Sequence, residues 1–205
     1  MLESYVGIEK ISSFTLIEKK SRFYAFAIPV MKKTEIKNYL NDFRIKYSDA
    51  THICYAYVIN DNGVQEKFSD DGEPSGTAGN PICAVIKKRN LTNVLIIVVR
   101  YFGKIKLGAG GLIRAYSSCA SGVLDECIEH KYFLVKKINF SFDSYDYYKY
   151  VNLFSLPQIK QKKESFVSNI CDIELCVIPN DEIDIVTKIK SINSQIDIKV
   201  TEFYL

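Results

Sequence analysis

Tryptophan is absent from this chain of 205 residues, and histidine occurs only twice. Apolar runs such as 94–99 are far shorter than the roughly 20 residues that a membrane-spanning helix needs. Residues 1–10 also lack the basic start and the apolar stretch of a signal peptide. The sequence therefore predicts a cytoplasmic protein with no membrane partner.

Paired cysteine motifs are lacking as well. The six cysteines, at positions 54, 83, 119, 127, 171 and 176, include no C-x-x-C pair, so the pattern is not typical of a disulfide scaffold. His52 and Cys54 would point to one face of a strand, but no second pair of ligands stands at metal-binding spacing. We expect reduced, mostly buried thiols, no bound metal and no cofactor.

Neither sign of charge dominates. Lysine and arginine number 27 against 24 acidic residues, which gives a formal charge of +3, and 47% of the residues are hydrophobic. This balance is typical of a globular protein with a sizeable core. It permits an anionic partner, but it falls short of the strong basic bias of a dedicated nucleic-acid coat.

The first half of the chain alternates strand and helix patterns. Strands are predicted at 14–19, 22–28, 52–60, 64–69 and 93–99, and helices within 33–47, at 81–88 and at 112–128. Thr34 is the expected N-cap of the first helix, and the DNG sequence at 61–63 predicts a hairpin turn. These patterns indicate a mixed α/β layer domain.

From residue 132 the pattern restarts. It predicts, in order, a strand at 132–142, a helix at 144–155, strands at 159–168 and 171–178, a helix at 181–193 and a strand at 196–204. The order β-α-β-β-α-β is that of the ferredoxin-like supersecondary pattern. We therefore predict an α+β protein of two domains, residues 1–130 and residues 131–205.

A run of acids, glycines and hydroxyl residues ends the predicted strand 64–69, and we call it the acidic loop. It consists of Ser69, Asp70, Asp71, Gly72, Glu73, Pro74, Ser75, Gly76 and Thr77. Its carboxylates could bind a divalent metal, but the calcium-loop spacing is missing, and GEPSG is not a nucleophile elbow. The sequence assigns no catalytic residue. Either the loop binds a ligand, or its acids cap a turn and pair with Arg100 or Arg114.

A second unusual stretch, RYFGKIKLGAGGLIRAY at 100–116, we call the glycine-rich segment. It leads from an apolar strand into a helix, so Gly108, Gly110 and Gly111 should lie where free N–H groups can hold a phosphate or carboxylate. Four cations surround them: Arg100, Lys104, Lys106 and Arg114. Neither the Walker A loop nor the dinucleotide fingerprint is complete. The alternative is that the glycines only let a strand pack closely on a helix.

SDDGEPSGTAGNPI and VVRYFGKIKLGAGGLIRAYS, together with EKKSRFYAFAIPV and DATHICYAYVI, resemble the signature of the IMPACT/YigZ family. The resemblance covers about residues 16–125 as the family's N-terminal domain. It implies a ribosomal-protein-S5 domain-2-like fold, a mixed sheet backed by two helices, followed by a ferredoxin-like domain as in bacterial members. One departure stands out, because the family usually reads RYFGG where this chain has Lys104. If that glycine adopts a positive φ, we expect either that Lys104 is strained or that the loop differs in this chain.

The resemblance further implies a non-enzymatic protein of translational regulation. The two folds in this order resemble the C-terminal domains of translocating elongation factors, which suggests RNA or ribosome contact by analogy of fold. Eukaryotic relatives use an additional N-terminal domain to compete for the activator of an initiation-factor kinase. We do not assign that protein partner to this chain. The alternatives are a metal-dependent hydrolase or phosphate-ester enzyme that uses Asp70, Asp71 and Glu73, and a pure protein-interaction module. In every case we expect the acidic loop to lie against the glycine-rich segment.

Overall fold

A five-stranded sheet organises the first of two units of the chain, residues 1–131. The computed structural model describes residues 3–61 and 63–205, so Asn62 of the predicted DNG turn lies outside the described residues. The elements of this unit are β1 Ser4–Ile8, β2 Ser12–Glu18, β3 Ser21–Pro29, α1 Lys33–Lys46, β4 His52–Asn60, β5 Val64–Ser69, α2 Gly79–Lys88, β6 Val94–Tyr101 and α3 Ala109–Asp125. The strands predicted from alternation and from apolar runs are confirmed.

The strand order is β2-β3-β6-β4-β5, and each of the four pairings is antiparallel. Two hairpins, β2–β3 and β4–β5, flank β6, which runs antiparallel to a strand of each. The expected mixed sheet is therefore wrong, because the four pairings that build this sheet are all antiparallel.

Helices cover both faces of this sheet. On one face, α2 and α3 share a core with Phe23, Cys54 and Ile96, and on the other face α1 packs over Leu95 and Ile97. Residues 94–99 are fully buried because the central strand β6 is covered on both sides, which explains its unbroken apolar sequence. The family resemblance implies a sheet backed by two helices, and α2 and α3 fulfil this on one face. On the other face, α1 adds a further layer.

Three helix starts in this unit differ from prediction, and that of α2, at Gly79, lies two residues before the predicted start. α1 begins at Lys33 without a side-chain cap, so Thr34 is not its N-cap; instead the Glu35 carboxylate accepts a hydrogen bond of 2.8 Å from the Met31 N–H. α3 begins at Ala109, three residues before the predicted start, and its first turn includes Gly110 and Gly111. Glycine has a low helix propensity, so Gly110 and Gly111 were not recognised as helical. The prediction from apolar periodicity therefore placed the start of α3 too late.

The second unit, residues 132–205, has the predicted order of elements. They are β7 Glu129–Asp143, α4 Tyr147–Phe154, β8 Ile159–Val167, β9 Ile170–Val177, α5 Glu182–Ile192 and β10 Ile198–Tyr204. The strands pair antiparallel in the order β10-β7-β9-β8. Residues of both helices share one core with the sheet, including Tyr150 and Ile185 beside Ile138. No helix of the described residues is long and apolar enough to cross a membrane.

Candidate functional site

The acidic loop and the glycine-rich segment meet through one buried ion pair. Nη1 of Arg100, at the end of β6, donates to Oε1 of Glu73 at 2.5 Å, and the two side chains are only 5% and 3% exposed. Nη2 of Arg100 donates to the Ser21 hydroxyl at 3.2 Å. The prediction that a carboxylate of the acidic loop lies within ion-pair reach of Arg100 or Arg114 is confirmed for Glu73 and Arg100.

Glu73 gathers further partners around its carboxylate. The hydroxyl of Tyr116, from α3, donates to Oε1 at 2.8 Å. Nε2 of His52, from the start of β4, lies 3.8 Å from Oε2. Burial raises the pKa of Tyr116 well above its usual range, so the phenol stays a neutral donor. Glu73 is therefore the point where β4, β6, α3 and the acidic loop are tied together.

The other two carboxylates fix the conformation of the acidic loop. Asp70 accepts from the N–H groups of Gly76, Ala78 and Gly79 at 2.8, 3.0 and 2.8 Å, which closes the loop onto the start of α2. Oδ2 of Asp71 accepts from the Ile53 N–H at 2.7 Å. Among the described residues, no group of three or more His, Cys, Asp or Glu side chains could hold a metal ion. The carboxylates thus satisfy backbone and arginine donors of this chain.

Cys54 lies beneath this network, in contact with the acidic loop and with α3. Its sulfur lies 3.0 Å from the Asp70 carbonyl oxygen and 3.4 Å from the Tyr116 hydroxyl. Burial is the main cause that raises the pKa of Cys54 to about 12, so the thiol is neutral at physiological pH. His52 instead directs Nδ1 at the Asp71 carbonyl oxygen, 2.8 Å away.

Sequence reasoning did not find the roles of Ser21, Cys54 and Tyr116. Tyr116 lies on the apolar face of α3, and a phenol on such a face needs a partner for its hydroxyl. That need was a usable signal. For Ser21, which separates two predicted strands, the sequence offers no comparable signal, because its partner Arg100 is distant along the chain.

The turn after β6 depends on two unusual backbone positions. A Cβ atom at Gly103 would lie 2.0 Å from the carbonyl carbon of Lys20, so only glycine fits there. Lys104 adopts a φ of +64°, which confirms the strain expected where the family carries glycine, at a cost of about 1 kcal/mol. The turn nevertheless forms, and the Gly103 N–H donates to Ser21 at 3.1 Å.

The start of α3 is open to a ligand. Gly108 precedes the helix with a φ of +72°, and no side chain caps the first turn, which contains Gly110 and Gly111. Lys104, Lys106 and Arg114 are exposed around it, whereas Arg100 is buried. Of these cations, Lys106 lines a cavity together with Arg100, and Arg114 lines a separate groove beside Glu18 and Lys19.

That cavity, of about 370 Å³, lies between the two motifs. His52, Glu73 and Pro74 form one wall, and the residues from Arg100 to the start of α3 form the other. The lining residues are Thr51, His52, Glu73, Pro74, Arg100, Phe102, Lys106, Leu107, Gly108, Ala109 and Leu112. The arrangement offers hydrogen-bond donors and positive charge.

Comparison with known proteins identifies the class of protein to which this fold and site belong. The sequence model of the Impact N-terminal domain matches residues 19–124, which include both motifs. The IMPACT family member YvyE of Bacillus subtilis is 36% identical over 185 residues, which cover 76% of this chain and 85% of YvyE. The chain therefore belongs to the IMPACT family.

Two further similarities extend this result. The IMPACT family member YigZ of Escherichia coli is 41% identical over 106 residues, which cover 50% of this chain and 52% of YigZ. A crystal structure described as that of a hypothetical protein has a TM-score of 0.70 at 23% identity and covers 97% of each chain. At that identity the likeness concerns the fold alone.

Proposed function

We propose that this protein is a non-enzymatic, cytoplasmic factor of translational regulation that binds RNA or the ribosome through the glycine-rich segment. The observation that carries the proposal is the set of exposed cations, Lys104, Lys106 and Arg114, around the uncapped start of α3. Free N–H groups and the helix dipole favour phosphate at that position. Translational control itself is what the family resemblance implies.

The proposal divides the site residues between two roles. Lys104, Lys106 and Arg114, with the first turn of α3 at Gly108, Gly110 and Gly111, contact phosphate. Arg100 is assigned a positioning role instead, because it is 4% exposed and bonded to Glu73. The acidic loop, residues 69–77, positions Glu73 against Arg100 and shapes the cavity wall beside the phosphate-binding residues.

A domain assignment belongs to the same proposal. Residues 1–130 are assigned an S5 domain-2-like fold, and residues 131–205 a ferredoxin-like fold. The strand order β10-β7-β9-β8 with two helices sharing one core supports the second assignment. The two helices α2 and α3 on one face of the five-stranded sheet support the first.

The test is binding of total RNA and of ribosomes at several salt concentrations. The triple variant Lys104→Gln, Lys106→Gln, Arg114→Gln should bind more weakly, and its log-log salt slope should fall by about 0.7 for each lost contact with a single strand. A matched control with the same charge change is Lys32→Gln, Lys33→Gln, Lys37→Gln, exposed at and before α1, the helix on the other face of the sheet. Equal binding and equal slopes for both variants would refute the proposal.

The alternatives give different results in the same experiment. A protein-interaction module would retain its partner from nuclease-treated lysate and would show no salt slope with purified RNA. A metal-dependent hydrolase would need the carboxylates of Asp70, Asp71 and Glu73, which are engaged in hydrogen bonds and an ion pair within the chain. No observation on the site favours that reaction.

A further inference from the structure

We infer that the cavity between the acidic loop and the start of α3 binds one nucleoside 5′-monophosphate, either free or as the phosphorylated end of an RNA chain. The RNA-bound form of this inference rests on the proposed function, whereas binding of the free nucleotide does not. The phosphate lies at the start of α3 beside Lys106, and the base lies against Phe102.

The size and walls of the cavity define the class of ligand. A volume of about 370 Å³ lies in the range of small-ligand sites, roughly 300 to 1,000 Å³. One phosphate group would fill only a part of it. Pro74, Leu107 and Leu112 supply apolar surface, and the Phe102 ring is 42% exposed. The ligand therefore carries an apolar or aromatic body in addition to its charge.

The charges on the walls select an anion. Lys106 is exposed and lines the cavity. The carboxylate of Glu73 also faces this region, but Arg100 neutralises it at 2.5 Å. Gly108 leaves the first turn of the 17-residue helix α3 without a side-chain cap, so its N–H groups are available to phosphate oxygens.

A second observation, independent of the helix, points to a ligand oxygen. Arg100 lines the cavity and is 4% exposed, yet within the described part of the chain its Nε–H has no hydrogen-bond acceptor. Buried donors without a partner are rare in native proteins. Nη1 and Nη2 each donate one hydrogen bond, to Glu73 and Ser21. The Nε–H is enclosed, so an oxygen of a bound ligand would accept from it after a small shift of the Arg100 side chain.

Phe102 supplies a stacking surface for the base. Its ring lies 5.4 Å from the guanidinium carbon of Arg100, which holds the ring beside the cavity. Aromatic side chains bind nucleobases through stacking that tolerates any base, because every base has a π face. The cavity thus places an aromatic surface and an anion site within the reach of one nucleotide.

The experiment is calorimetric titration of the full chain with AMP, ribose 5-phosphate and adenosine. AMP should bind more tightly than ribose 5-phosphate, and adenosine more weakly than both. Lys106→Gln should weaken AMP binding about tenfold, as expected for one lost charge-assisted contact. The matched control Lys37→Gln, exposed on α1 and outside the cavity lining, should leave AMP affinity unchanged.

The variant Phe102→Leu tests the base. It keeps an apolar side chain at an exposed position, so the fold should persist, and circular dichroism and thermal unfolding confirm this for each variant. The preference for AMP over ribose 5-phosphate should disappear, a loss of about fivefold or more. If AMP does not bind the wild-type chain, or if Lys37→Gln and Lys106→Gln weaken AMP binding equally, the inference is overturned.

Oligonucleotides separate this inference from the proposed function. A pentaribonucleotide with a 5′-phosphate should compete with AMP, whereas the same oligonucleotide with a 5′-hydroxyl should compete about fivefold less well. RNA binding that depends on salt but neither on the 5′-phosphate nor on AMP would overturn the cavity site and leave the proposed function standing. AMP binding without any RNA binding would support the cavity site and refute the RNA proposal.

Discussion

Arg100 illustrates how a single residue can change its role between sequence and structure. From the sequence it is one of four cations near a glycine-rich helix start, and nothing in the spacing separates it from Lys104, Lys106 and Arg114. The structure separates them by burial, since Arg100 is enclosed with Glu73 while the other three are exposed. The distinction depends on contacts between residues far apart in sequence, which local patterns do not encode.

The first prediction concerns Glu73→Gln. The substitution keeps the shape of the side chain but removes the charge that compensates Arg100, whose side chain is 5% exposed. Leaving a buried charge without its partner should lower the free energy of unfolding by about 3 kcal/mol, measured by denaturant titration.

A matched control for this prediction is Glu66→Gln. Glu66 pairs with Lys87 at 2.8 Å, but these side chains are 45% and 56% exposed. Water already solvates both charges, so the stability of this variant should stay close to that of the wild type. Equal losses in the two variants would show that burial of the Arg100–Glu73 pair does not matter for stability.

At the scale of elements, the acidic loop is held as a connection between β5 and α2. Asp70 caps the entry to α2 by accepting from Ala78 and Gly79, and Asp71 ties the loop to β4 through Ile53. The sequence alone left two interpretations of these acids open, namely ligand binding and turn capping. The hydrogen bonds of Asp70 cap the turn. Glu73 forms an ion pair with Arg100, which the second interpretation also includes.

The second prediction compares two glycines in the first turns of two helices. A Cβ atom at Gly79 would lie 2.7 Å from backbone atoms of Ser69, whereas one at Gly110 would meet only the end of Arg114 at 3.8 Å. Gly79→Ala must push α2 away from β5 and should therefore destabilise the protein by about 1 to 3 kcal/mol. Gly110→Ala should instead stabilise it by up to about 1 kcal/mol, because alanine favours the helix.

Thermal unfolding of the two alanine variants beside the wild type checks this prediction. Opposite shifts of Tm are expected. A lower Tm for both variants would mean that the first turn of α3 is under a constraint that the contacts of Gly110 do not show. An unchanged Tm for Gly79→Ala would mean that α2 and β5 separate at little cost.

At the scale of the whole molecule, most elements follow from local patterns, and the tertiary arrangement only in part. The aromatic and β-branched composition of 52–60 and the apolar run 93–99 predict β4 and β6, because β4 is largely buried in the sheet and β6 almost entirely so. By contrast, no local signal marks β1, a short strand of five residues, or the insertion of β6 between two hairpins. Such pairings join distant segments, so the sheet order requires the fold itself.

The six cysteines are all free, and five of them are buried, which gives the whole molecule a characteristic response to alkaline pH. Burial raises the pKa of Cys54 and of Cys119 from 9.0 to about 12. In the unfolded chain these thiols lose their protons near pH 9, while in the folded chain they keep them. The unfolded state is therefore favoured progressively as the pH rises above about 9.

The third prediction is that the free energy of unfolding falls between about pH 9 and pH 12. Each such thiol should contribute up to about 1.4 kcal/mol per pH unit in that window and nothing below it.

The variant Cys119→Ala removes one of these buried thiols from α3. The free energy of unfolding should then decline less steeply with pH, even though the variant is less stable than the wild type at neutral pH. Val123→Ala, at another fully buried position of α3, should lower the stability without changing the steepness. Denaturant titrations at a series of pH values up to about 11 measure both slopes. Identical slopes for the wild type and Cys119→Ala would contradict the assignment of the alkaline decline to buried thiols.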